Sequence, residues 1–112
     1  MTIVYSIKLR SLLQANSFEE FARKRYLPSL HTGSTRVGQL LGARLLRQRR
    51  DHESDPIELD NQFLMLLEWS GLPIEMPRTD DPAVQKIFDS YDVEMTQIGR
   101  FETVGTLDGR LL

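Results

Sequence analysis

The segment QFLMLLEWSG, residues 62–71, holds five apolar residues in unbroken succession and then a carboxylate, a tryptophan and a Ser-Gly break. A β-strand turns successive side chains to opposite faces, so a run that is apolar on both parities buries both of its faces. The segment therefore predicts a strand over residues 62–69 that is covered on each side. A small domain with one layer of helices covers only one side, and something further must cover the other.

Three further segments have strand patterns. Residues 3–9 alternate strictly between apolar and other side chains, which predicts a half-buried strand. Residues 37–49 contain Gly38 and Gly42, which favour a strand with a bulge. A helix is the alternative for this segment, because part of its apolar pattern also fits a helical stripe. Residues 93–105 predict a last strand, which is interrupted by glycines.

The first predicted helix begins at Ser17. Ser17 and Glu20 have the spacing of a capping box, in which each side chain bonds an exposed amide at the start of a helix. Pro28 lacks an amide hydrogen and clashes with the preceding turn, so the helix should kink or end near residues 26–27. These signals predict a helix near residues 17–30, followed by a loop that begins at His31.

The second predicted helix spans residues 81–91. Asp81 is a suitable N-cap, and Pro82 stands at the first helical position, where its missing amide costs nothing. An amphipathic stripe follows at i, i+3, i+4 and i+7, formed by Val84, Ile87, Phe88 and Tyr91.

The order strand, helix, strand, strand, helix, strand predicts one α+β domain over residues 1–112 with a ferredoxin-like βαββαβ fold. In that topology the first and third strands lie at the centre of a four-stranded antiparallel sheet, with both helices on one face. The apolar third strand then needs cover on the face without helices. A symmetric partner is the economical cover, so we expect a homodimer.

The segments SFEEFARKRYLPSL, VGQLLGARLLR and FLMLLEWSG, followed by an amphipathic helix and a strand, resemble the dimeric α/β-barrel superfamily, which includes antibiotic-biosynthesis-type monooxygenases. The resemblance covers nearly the whole chain. It implies that two sheets face one another to close a barrel, and that each subunit has a small-molecule pocket between its sheet and its helices. The residues expected there are Tyr5, Tyr26, His31, Glu68 and Trp69.

Within that resemblance we expect His31 and Trp69 to be catalytic and Tyr5, Tyr26 and Glu68 to bind substrate. Cofactor-free oxygenases and haem-degrading members use an asparagine on the first strand, a tryptophan after the third and, in some, a histidine on the second helix. Only the tryptophan has a counterpart here, so haem degradation and a bound cofactor are not expected. Each residue also has a structural interpretation: Trp69 closes the core, Glu68 is solvated and His31 is an exposed loop residue.

Composition excludes several classes of function. The chain has no cysteine and only two histidines, far apart in sequence, so disulfides, thiol nucleophiles and a metal site are not expected. No apolar run reaches the length of a membrane span, and we expect a cytoplasmic protein.

Residues 1–50 carry a net charge of +8 and residues 51–112 a net charge of −10. The third strand lacks the base-stacking aromatics of RNA-recognition modules, so we interpret this asymmetry as complementarity between subunits, not as a nucleic-acid surface.

The sequence thus leaves two classes of function open. One is a small-molecule enzyme of oxygenase or isomerase type that needs no cofactor. The other is a non-catalytic module, which either binds a ligand or serves only as a structural dimer.

Overall fold

The computed structural model describes residues 1–32, 38–50, 58–71 and 79–107. In chain order its elements are β1 (Thr2–Lys8), α1 (Leu12–Phe21), a π-helical turn (Ala22–Tyr26), α2 (Leu27–Thr32), β2 (Gly38–Arg50), β3 (Glu58–Gly71), α3 (Pro82–Ser90) and β4 (Glu94–Phe101). The segment from α1 to α2 is one continuous helical stretch, and α3 is the second helix. Within the described ranges no helix is both long enough and apolar enough to cross a membrane.

The four strands form one antiparallel sheet in the order β2-β3-β1-β4. The central pair β1 and β3 is in regular register, with Ile3 opposite Leu67 and Ile7 opposite Phe63. This arrangement confirms the predicted ferredoxin-like α+β fold. It also shows that β2 is a strand, so the helical alternative for residues 37–49 is wrong.

The face of the sheet that packs against the helices, here called the helix face, carries the core. Its central layer is made by alternate residues of β1 and β3, each at most 3% exposed: Ile3, Tyr5, Ile7, Phe63, Met65, Leu67 and Trp69. Phe18 of α1 is wholly buried against this layer, with its ring centroid 5.3 Å from that of Phe63 and 5.9 Å from that of Phe88. Edge-to-face rings at such distances stabilise a core beyond their buried area alone.

The first helix begins earlier than the capping-box pattern predicted. Ser11 is the N-cap, and its hydroxyl accepts a hydrogen bond from the amide of Gln14 at 3.2 Å. Ser17 lies inside α1, where its hydroxyl pairs with the Tyr91 hydroxyl at 2.7 Å, and Glu20 accepts from Lys24 instead of capping. The prediction was wrong because the extra turn between Ser11 and Ser17 buries Ala15 completely, which capping signals alone do not reveal.

Pro28 changes the form of the helix without ending it. The amide of Leu27 donates to the carbonyl of Ala22, five residues back, which defines the π-helical turn just before the proline. We attribute the wide turn to Pro28, since its ring clashes with a carbonyl four residues back in a regular α-helix. The helix therefore continues to Thr32, and His31 belongs to α2 instead of the predicted loop.

Both edge strands carry irregularities where the sequence has glycine. The pairing of β2 with β3 shifts between Leu40 and Gly42, which is the predicted bulge. The pairing of β4 with β1 skips Ile98, next to Gly99. β4 ends at Phe101, before the predicted boundary at residue 105.

Arg47 fixes β2 against the rest of the core. Its side chain is only 7% exposed, its guanidinium carbon lies 5.4 Å from the Phe63 ring centroid, and its Nε donates to the carbonyl of Asp60 at 2.6 Å. A terminal nitrogen also lies 3.7 Å from Glu19 of α1. One arginine of the basic half thus serves the interior of the fold, which supports an internal role for part of the charge asymmetry.

Candidate functional site

Trp69 lies near the end of β3 on the helix face. Its side chain is 2% exposed, and it stands opposite Leu40 of β2, which is also buried. The main-chain amide of Trp69 donates to the carbonyl of Met1 at 2.8 Å. The indole Nε1, in contrast, is buried and has no hydrogen-bond acceptor among the described residues. Tryptophan indoles that are buried usually find such an acceptor, so this donor is exceptional.

Tyr5 and Tyr26 converge from the sheet and from the π-helical turn. Tyr5 is 3% exposed in β1, and Tyr26 is 2% exposed. The Tyr26 ring stacks on Phe88 of α3, with centroids 4.4 Å apart. The two tyrosines are near enough to influence one another electrostatically. The sequence predicted that both tyrosines line one pocket; the structure buries both side chains, and the pocket stays a prediction.

Both tyrosines stay protonated far above neutral pH. Burial raises the pKa of Tyr26 to about 12, and the nearby Asp89 carboxylate and Tyr5 act in the same direction. Burial also raises the pKa of Tyr5, while the positive charge of Arg100 opposes the increase. At neutral pH the two hydroxyls are therefore hydrogen-bond donors, and neither serves as a base.

Trp69 is not in contact range of the tyrosine pair along the strand. Tyr5 stands opposite Met65, four residues before Trp69 in β3. At the rise of a β-strand this separates the two positions by roughly 13 Å. The buried layer of Ile3 and Leu67 lies between them. The helix face thus carries two separate polar groups, the Trp69 indole at one end and the tyrosine hydroxyls further along.

Glu68 and His31 occupy different surroundings from these groups. Glu68 stands opposite Thr2 and Gly42 on the face of the sheet remote from the helices, here called the open face, and it is exposed. Glu68 and Trp69 are therefore on opposite sides of the sheet. The backbone of His31 lies in α2, which packs against β2, and its side chain lies outside the described residues. Its predicted role stays a prediction.

One surface cleft was not predicted from the sequence. It has a volume of about 260 Å³ and lies at the end of β1 remote from Trp69. Its lining is formed by Lys8, Leu9, Arg10, Asn61, Asp92, Val93 and Glu94. Arg10 and Asp92 form an ion pair whose side chains are 70% and 69% exposed. Exposed ion pairs contribute only about 0–1 kcal/mol to stability. We therefore interpret Arg10 and Asp92 as an ordinary surface ion pair, not as part of a functional site.

The described residues include no group of three or more His, Cys, Asp or Glu side chains placed to hold a metal ion. Comparisons with protein-family models, with curated proteins and with solved structures give no match to this chain. The ferredoxin-like fold is shown by the strand order and register. Membership of the dimeric α/β-barrel superfamily stays a prediction from the sequence.

Proposed function

We propose that this protein is a homodimer that binds a small molecule on the helix face of its sheet, with Trp69 donating a hydrogen bond to the ligand. The observation that carries the proposal is the buried indole N–H, for which the described part of the chain offers no acceptor. A buried donor left unsatisfied costs about 1–3 kcal/mol, and a ligand that supplies an acceptor removes that cost. The free protein already has this unfavourable free energy, and binding would remove it, which strengthens binding.

The surroundings indicate the chemistry of the ligand. The neighbours of Trp69 are apolar, with Leu40 and Leu67 at 5% and 0% exposed. Tyr5 and Tyr26 offer two further protonated donors on the same face, but they lie roughly 13 Å further along the sheet, beyond Ile3 and Leu67, and form a group separate from the Trp69 site. A flat, largely apolar molecule with a carbonyl or carboxylate oxygen fits donors of this kind.

Catalysis on such a ligand would depend on His31. The ordinary pKa of a histidine lies near neutrality, and the raised pKa values of Tyr5 and Tyr26 remove them as bases. An oxygenase- or isomerase-type reaction would then use His31 for proton transfer and Trp69 to hold the ligand oxygen. Glu68 takes no part in this interior site, because it lies on the open face. Binding without turnover is the alternative, and it predicts that replacing His31 changes nothing.

The dimer is the second part of the proposal, and the open face supports it. Val4, Leu64 and Leu66 stand at its centre and are only partly buried by the chain itself. Leu46, opposite Leu64, is 39% exposed, and Phe101, opposite Thr2, is 50% exposed. Contiguous apolar surface of this kind marks an interface. A second copy that presents the same face covers it by two-fold symmetry.

The ligand site can be tested directly because Trp69 is the only tryptophan in the chain. Its indole N–H gives one resolved ¹⁵N-correlated NMR signal, which can be followed during titration with benzoate and with 1,4-naphthoquinone. We expect saturable displacement of that signal by at least one probe. Trp69→Phe keeps an aromatic ring and lacks the donor, so it should bind the same probe at least tenfold more weakly. An indole proton that exchanges freely with solvent, or equal affinity in both proteins, would refute the ligand site.

The role of His31 is tested separately. After a probe that binds has been found, the His31→Gln protein can be tested with it. This substitution removes the imidazole and keeps a polar side chain of similar length. For a catalytic role we expect loss of turnover with little change in probe affinity. Unchanged turnover in His31→Gln would assign the chemistry to another residue, and no turnover in the wild-type protein would leave a binding protein.

A further inference from the structure

The first helical stretch buries every fourth residue along most of its length. The members of this series are each at most 2% exposed: Phe18, Ala22, Tyr26 and Leu30. An α-helix turns about 100° per residue, so each step of four residues advances the side-chain direction about 40° beyond a full turn. Over the whole series the drift amounts to about 120°. A regular α-helix would therefore turn Leu30 away from the direction of Phe18, yet both are buried.

The π-helical turn removes this drift. It closes through a bond from the amide of Leu27 to the carbonyl of Ala22, five residues back, whereas an α-helical bond reaches four residues back. The turn thus holds one residue more than an α-helical turn for the same advance in direction. With that residue absorbed, the directions of Phe18 and Leu30 differ by only about 20°.

The extra residue lies on the outside of the helix. All three residues between Ala22 and Tyr26 are exposed. Lys24, the middle one, forms an ion pair with Glu20, and the two side chains are 60% and 63% exposed. Such exposed pairs add little to stability. The extra residue therefore acts through its place in the chain and not through the contacts of its side chain.

Tyr26 is the first buried residue after the wide turn, and its contacts depend on its direction. Its ring stacks on Phe88 of α3, with centroids 4.4 Å apart and 19° between the ring planes. The centroid of Phe21 lies 6.2 Å away. If the turn were α-helical and kept all of its residues, Tyr26 would point about 100° away from this position. Both aromatic contacts would then be lost.

We propose that the π-helical turn is a positioning segment, whose extra residue sets the direction of Tyr26 and of α2 relative to the sheet. Pro28 favours the same wide turn, but its side chain is exposed, and burial of Tyr26 and Leu30 is what requires the extra residue. Turns of this kind are rare and occur frequently at functional sites. α2 contains the backbone of His31, so the segment also orients the helix on which the proposed catalysis depends, and this consequence alone rests on the proposed function.

A deletion tests whether the extra residue sets the direction. Deletion of Lys24 combined with Pro28→Ala leaves a regular α-helix in which Tyr26 keeps its direction. We expect a folded protein whose unfolding equilibrium constant lies within about tenfold of the wild-type value. The pKa of Tyr26 should stay well above its ordinary value of 10.0, because the ring stays buried. The pKa is measured from the tyrosine ring signals in NMR during alkaline titration, with Tyr26→Phe to assign the signal.

The matched control deletes an exposed residue from the regular part of the same stretch. Asn16 lies in α1, between Ala15 and Phe18, which are both 0% exposed. Because no extra residue is available there, its deletion displaces one of these side chains from the sheet. We expect the unfolding equilibrium constant to rise at least about 100-fold.

Pro28 provides an independent test in a chain of full length. Pro28→Ala alone removes the ring and keeps the extra residue, so the wide turn should persist and the pKa of Tyr26 should stay raised. Deletion of Lys24 alone places Pro28 inside a regular α-helix. We expect its unfolding equilibrium constant to exceed that of the combined variant about 100-fold.

Two results would overturn the proposal. One is a combined variant as unstable as the Asn16 deletion, since the residue would then have no special place in the helix. The other is an ordinary tyrosine pKa for Tyr26 in Pro28→Ala, since the proline and not burial would then maintain the turn. Neither measurement uses a ligand. A wild-type protein that binds no probe at Trp69 therefore refutes the proposed ligand site without affecting this inference.

Discussion

The two faces of the sheet use alternate residues of the same strands, yet within the described residues only the helix face is fully covered. In β3, Phe63, Met65 and Leu67 on the helix face are at most 1% exposed, whereas the intervening Leu64 and Leu66 are only partly buried. The neighbouring apolar residues of the open face, Leu46 and Phe101, are 39% and 50% exposed. Both faces are therefore apolar, but only the residues of the helix face are fully buried.

This difference explains the unbroken apolar run in the sequence. The two helices bury the helix face, so its residues contribute to the folding of the single chain. The apolar side chains of the open face stay partly exposed until another molecule covers them, so they should contribute mainly to association. Substitutions at neighbouring positions of one strand can separate these contributions.

The largest effect is expected on the helix face. Met65 is 0% exposed, and Met65→Asp would bury an unpaired carboxylate at the centre of the core. The cost is several kcal/mol, a large part of the roughly 5–15 kcal/mol that stabilises a small domain. We expect loss of the cooperative thermal transition in circular dichroism, whereas Met65→Leu should cost less than about 1.5 kcal/mol. A cooperative transition in Met65→Asp would show that the helix face is less tightly packed than the structure indicates.

The adjacent position should behave differently. Leu66→Asp places the charge on the open face opposite Arg44, where a folded monomer can solvate it. We expect a folded protein whose dimer is at least about 1,000-fold weaker, equivalent to about 4 kcal/mol. Leu13 of α1 is 81% exposed, and Leu13→Asp is the matched control that should leave the dimer unchanged. A Leu66→Asp protein that still dimerises would show that the open face is not the interface.

Alkaline pH tests the helix face through Tyr26. Because the folded state raises the pKa of Tyr26 from 10.0 to about 12, it retains the proton more strongly than the unfolded state. The corresponding stability is present below pH 10 and is lost as pH rises from about 10 to about 12, and it amounts to at most about 3 kcal/mol. Denaturant unfolding over this range should show the loss, and Tyr26→Phe should reduce it. An equal loss in both proteins would assign the effect to other groups, of which Tyr5 is the first candidate.

The sequence predicted those parts of the fold that depend on local pattern. Alternation in β1, the glycine-associated bulge of β2 and the Asp81 cap with Pro82 are each properties of a short segment, and each is present. Ser11 was missed as the first helical cap because two serines compete, and the choice depends on burial of Ala15 against the sheet. The π-helical turn was missed because Pro28 was expected to end the helix, not to widen one turn.

The candidate site was less accessible to sequence reasoning. Residue types suggested Tyr5, Tyr26 and Trp69, and strand parity separated Glu68 from Trp69. The lack of an acceptor for the Trp69 indole among the described residues and the electrostatic influence of Tyr5 on Tyr26 depend on contacts between distant segments. No pattern in QFLMLLEWSG distinguishes a satisfied indole from an unsatisfied one.

The smallest expected effect concerns charge on the open face. Arg44 and Glu68 are exposed there, and exposed charges set register and partner choice while adding only about 0–1 kcal/mol per pair. Arg44→Gln should therefore change the dimer constant less than about fivefold. Raising the salt to about 1 M, where the Debye length is about 3 Å, should likewise weaken the wild-type dimer only modestly. If apolar contact between open faces holds the dimer, Leu66→Asp must exceed both effects by at least two orders of magnitude. Binding to random RNA and DNA, measured alongside, should be weak, and tight salt-sensitive binding would show that the arginines of β2 face a nucleic acid instead of a second subunit.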